Sequence, residues 1–74
     1  MRAVETELQM CIRHVAEQET RIARQKILIA RLRKVGVPLN DAIRFLASML
    51  DILATMREHT ARLHKLIQDH QNSN

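Results

Sequence analysis

The side chains of this chain that could hold a metal or move a proton are few and scattered. His14, His59, His64 and His70 are joined by a single cysteine, Cys11. No two histidines stand three or four residues apart, the spacing that sets two ligands on one helical face. His14 approaches His59 only if the chain folds back on itself, and the same fold sets Cys11 opposite Leu63 and His64. That arrangement alone carries zinc-ligand chemistry, and solvated or partly buried histidines without a metal are the plainer expectation. One cysteine excludes an intrachain disulfide framework and a four-cysteine metal site. No nucleophile stands at a recognisable spacing from a base, and the lone glycine, Gly36, cannot build a phosphate-cradling loop. Gln18, Gln25 and Arg21 are the residues an active site inside a helical bundle would use, but nothing specifies a reaction. The expectation is a protein that is not an enzyme, with no catalytic residues and no cofactor.

Charge is the second chemical feature. The net charge of +4 is uneven. Acids outnumber bases before residue 21, and the two cancel after residue 40. Arg21, Arg24, Lys26, Arg31, Arg33 and Lys34 stand together with no acid among them. Such a segment could neutralise phosphates or meet another acidic partner. In a helix, however, Arg24 and Arg31 share one face, Lys26 and Arg33 another, and Arg21 a third, so the charge is spread around the circumference. No Trp or Tyr and only one Phe (Phe45) are present for base stacking, and no DNA-reading motif is recognisable. A solvated face is favoured over nucleic-acid binding.

The elements that position these residues follow from periodicity. Apolar residues make up 46% of the chain and recur regularly, which excludes disorder, and one Gly and one Pro (Pro38) leave little beyond helix. From Val4 through Leu8, Cys11, Val15, Gln18, Ile22, Gln25 and Ile29 to Leu32, steps of four and three mark a coiled-coil seam. Gln18 and Gln25 interrupt it, and their amides are expected to turn to solvent or to each other. Gly36 closes this helix in the left-handed conformation, with Arg31, Arg33 and Lys34 at the negative end of its dipole. Pro38 forbids continuation, and Asn40 is the expected N-cap of a second helix. In that helix Arg44, Ser48, Asp51, Thr55, Glu58 and Arg62 form one narrow polar stripe, and nearly everything between them is apolar. The expected organisation is one domain, with helices over about 2–35 and 41–68, a turn at 36–40 and a frayed tail at 69–74.

A turn this short makes the helices antiparallel. Ala16, Ala23 and Ala30 recur every seven residues on the first arm, and Ala47, Ala54 and Ala61 on the second. Folding about the turn brings 16 level with 61, 23 with 54 and 30 with 47, and sets Glu19 opposite Arg57. The expectation is that these alanines face each other within the chain. Leu8, Val15, Ile22 and Ile29, with Leu46, Met49, Leu53 and Met56, are then left for self-association. The fold class is all-α, an antiparallel two-helix hairpin dimerising into a four-helix bundle.

The stretches HVAEQETRIARQKILIARLRKVG (14–36) and FLASMLDILATMREHTARL (45–63) carry a resemblance. Their His-Val-Ala-Glu, Arg-Ile-Ala-Arg-Gln, loop Gly and Met-Arg-Glu-His elements resemble short uncharacterised proteins of alphaproteobacteria such as the rhizobia. This similarity implies a bacterial cytosolic protein and no particular activity. A shorter likeness, FLASM at 45–49, is similar to the phosphoacceptor box of sensor histidine kinases. Leu50, Asp51 and Ile52 stand where Ser-His-Glu would follow, so the phosphorelay chemistry is lost.

Acids near the start oppose an export signal, and no uncharged run approaches the ~20 residues of a membrane span. A membrane-surface helix is disfavoured because the apolar faces are needed for a core. The functional expectation is therefore a cytoplasmic structural or protein-interaction module, an adaptor or regulator. Its expected partner is itself or another helical protein. The alternatives are a nucleic-acid-associated protein using residues 21–34 and, third, a small helical-bundle enzyme.

Overall fold

Local rules place the elements. The computed structural model describes residues 2–72 and consists of α1 (Arg2–Val35) and α2 (Asn40–Asn72). Gly36 stops α1: its φ of 84° is the left-handed conformation that ends a helix, and its N–H donates to the Leu32 carbonyl at 3.1 Å. Pro38 follows, and α2 starts at once. The Leu39 carbonyl accepts the Ile43 N–H at 2.9 Å, so the helical ladder begins at Leu39. Asn40, the expected N-cap, is instead the first helical residue. Helix α2 also runs past its expected end near 68 to Asn72. Ser73 and Asn74, the last of the expected tail, lie outside the described residues.

The two helices pack along their length as an antiparallel hairpin measuring 61 × 15 × 14 Å. Between them lies the three–four seam. Ile22, Met49 and Leu53 form its buried centre, with Val15 and Leu46 packed against them, and Ile29 and Ile67 are buried further out. Each such side chain contributes about 1.5–3 kcal/mol of burial. Leu8, Cys11, Leu32, Ala42, Met56 and Leu63 are half-buried along the same line. Val4, the first member of the expected seam, lies outside the residues whose side chains are described.

This reverses the expected assignment of the two apolar stripes. Leu8, Val15, Ile22, Ile29, Leu46, Met49, Leu53 and Met56 were expected to meet a second chain, yet they line the contact between the two arms of one chain. The six alanines, expected to face each other across that contact, are all exposed. Burial scales with apolar area. The branched and long side chains therefore outcompete alanine for the neighbour that the turn delivers first.

Candidate helix-docking surface

Two glutamine side chains sit in the seam and both are bonded across it. Gln18, 6% exposed, donates its amide to the Met49 carbonyl at 3.1 Å. Gln25 donates to the Ala42 carbonyl, also at 3.1 Å. Donors seven residues apart on α1 thus meet acceptors seven residues apart on α2. Neither amide turns to solvent or to its twin, contrary to the expectation. A seam that slid by one residue would leave each amide without its carbonyl, so the pair fixes the register of the hairpin.

With the register set, the flanks of the hairpin follow. On one flank Leu8, Ile12, Val15, Ala16, Thr60 and Ala61 line an open, mostly apolar groove of about 440 Å³, bounded by Glu19, Arg57 and His64. Further toward the turn, Ala23, Lys26 and Leu50 border a second depression beside the same Glu19 and Arg57. Arg57 donates to Glu19 at 3.0 Å, the ion pair expected from the fold-back level. Steps of seven carry this flank on to Ala30 and Arg33 of α1 and to Ala47 and Ile43 of α2. Sequence reasoning found these alanines by their period but pointed them inward. It missed Ile12, Ile43 and Leu50, all substantially exposed on this flank.

The opposite flank holds the metal candidates. Cys11, His14, His59, Met56 and Thr60 line a small pocket of about 140 Å³, and His59 lies 3.7 Å from a Glu7 oxygen. Among the described residues no group of three His, Cys, Asp or Glu side chains is placed to hold a metal ion. His64 is on the other flank, bordering the groove. Steps of seven from His14 and His59 place Arg21 and Leu28, and Ile52 and Phe45, on this second flank, with Phe45 58% exposed.

The basic segment is divided by the fold. Arg21, Arg24, Lys26, Arg31, Arg33 and Lys34 are all exposed. Lys26 borders the alanine flank, whereas Arg21 and Arg24 line a shallow depression with Glu17 and Thr20. None of the six takes part in an ion pair among the described residues. No described helix is long and apolar enough to cross a membrane. What the arrangement offers chemically is contact surface: two long flanks carrying large apolar side chains beside a thin core. In comparison with known proteins, no family model, no curated protein and no solved structure matches this chain.

Proposed function

We propose that the chain is a structural or protein-interaction module, an adaptor or regulator without enzymatic activity, that works in the bacterial cytosol as a homodimeric four-helix bundle. One observation supports this above all: the lone hairpin leaves too much surface uncovered. It exposes 5889 Å², whereas a compact chain of 8.6 kDa exposes about 4,700 Å². Its radius of gyration is 17.2 Å, against about 11 Å for a compact domain of this length. Ile12, Ile43, Leu50, Phe45, Ile52 and Leu66 stand substantially exposed on its flanks. Large exposed apolar side chains gathered on the flanks of a thin hairpin mark interaction surface, and association is the ordinary way to cover them. Sedimentation equilibrium tests this reading. The expected mass is twice 8.6 kDa, with helical circular dichroism that falls as the protein is diluted through dissociation. A folded monomer at micromolar concentration overturns it.

A second reading, nucleic-acid association through residues 21–34, is favoured by one specific feature, the absence of acidic partners for all six basic side chains among the described residues. Their dispersal around α1 weighs against it, because fewer of them reach one phosphate backbone together. Retention on heparin and duplex DNA that weakens with salt separates the two readings.

A further inference from the structure

The exposed flank bearing Glu19 and Arg57 has the charge pattern of a surface built to meet its own copy. Glu19 sits on α1 and Arg57 on α2, level with each other and 3.0 Å apart. Ala16 and Ala61 border the groove beside them. Resting on the homodimer reading, we propose that this flank is the self-association surface, with a two-fold axis running parallel to the helices so that α1 of one chain packs antiparallel against α2 of the other.

An axis in that direction preserves level. It sets Glu19 against the partner's Arg57 and Arg57 against the partner's Glu19, closing a ring of four alternating charges. It also sets Ala16 against the partner's Ala61, Ala23 against the partner's Ala54 and Ala30 against the partner's Ala47. Small side chains in three successive layers let the two backbones approach toward the lower end of the ~8–10 Å range of helix packing. The exposed Ile12, Leu50 and Ile43 are then covered from the same side. A two-fold axis perpendicular to the helices and centred on this pair does the opposite: it sets Glu19 against the partner's Glu19 and Arg57 against the partner's Arg57, so charge selects the parallel axis.

Area agrees. A face of 61 × 15 Å is large enough for the ~800 Å² per partner of a stable interface. The opposite flank, with Phe45, Ile52 and Leu28, is the competing surface. There Arg21 stands level with Ile52 and His14 with His59, and Glu7 reaches His59 from a different level. That flank therefore has no level acid–base pair from which the same axis could close a ring of alternating charges.

The test uses the full chain with Cys11 replaced by serine and one new cysteine, Ala23→Cys or Ala54→Cys, mixed in equal amounts and exposed to oxidised glutathione. The expected result is a disulfide joining the two different variants, with little of either self-linked species. Two charge reversals provide the independent arm. Glu19→Arg and Arg57→Glu each weaken dimerisation by tenfold or more alone, and mixing the two restores it, because only the mixed dimer has complementary pairs across the interface. Rescue by mixing separates an intermolecular contact from the intrachain pair, which mixing cannot repair. A wild-type dimer with neither the cross-link nor the rescue overturns this surface while leaving the homodimer reading standing. Rescue with self-linked Ala23→Cys or no link overturns the parallel axis, and a wild-type monomer removes both.

Discussion

Gln18 shows how much one polar side chain decides in a core this thin. Its amide lies in the seam and bonds the Met49 carbonyl, which already accepts a hydrogen bond within α2. Removing the amide therefore orphans nothing on α2, and the consequence turns on what fills the space. Gln18→Ala leaves a void as well as losing the bond and is expected to cost about 1–3 kcal/mol. Gln18→Leu refills the seam and is expected to stay within about 1 kcal/mol of the native protein. Urea denaturation of both variants at one protein concentration checks this. Equal losses would mean that the cross-helix bond, and not the packing, carries the position. Glu19 and Arg57 lie at the other extreme. Both side chains are about half exposed, so within one chain their pair contributes no more than about 1 kcal/mol.

At the scale of the element, the turn and the seam make separate demands. A side chain added at Gly36 meets nothing within 4 Å, but its φ of +84° strains any L-residue. Gly36→Ala is accordingly expected to cost about 1–2 kcal/mol through backbone conformation alone, and Gly36→Asn less, since Asn visits this region more readily. Thermal melts that rank the variants Gly, Asn, Ala support this account, and an unchanged midpoint for alanine contradicts it. In α2, Leu53 is buried against Ile22 and Met49. Leu53→Ala is expected to destabilise by about 2–5 kcal/mol, a large part of the stability of so small a domain. Loss of the cooperative transition in circular dichroism at ordinary temperature is the corresponding observation.

For the whole molecule, shape and charge decide what the hairpin meets. Ala23 is exposed in the lone hairpin, so Ala23→Leu has room on one chain but overpacks a close helix pair between two. The expected outcome is a dissociation constant at least tenfold higher in sedimentation, with helix content retained in the concentrated protein. The six basic residues of α1 lie on different sides, and about half could reach one duplex together, giving about six contacts per dimer. At about −0.9 per contact, any DNA affinity should fall with salt at a logarithmic slope near −5, with no binding tighter than about 10⁻⁵ M at physiological salt. Submicromolar binding under those conditions would favour the nucleic-acid reading instead.

The sequence alone determined two helices, the break at Gly36 and Pro38, and the level at which Glu19 meets Arg57. Each of these follows from local rules: a glycine that admits positive φ, a ring that stops a helix, and a short turn that counts residues equally along both arms. The surplus of apolar surface was legible as well, because the apolar stripes are wider than one neighbour can cover. Which stripe turns inward was not legible, since the alanines and the larger side chains repeat with the same period and a period carries no direction. Only tertiary packing decided it, in favour of Ile22, Met49 and Leu53 over Ala23 and Ala54, because a larger side chain removes more apolar area from water. The partners of Gln18 and Gln25 emerged for the same reason: only after the arms had docked on that seam did the Met49 and Ala42 carbonyls come within 3.1 Å of their amides.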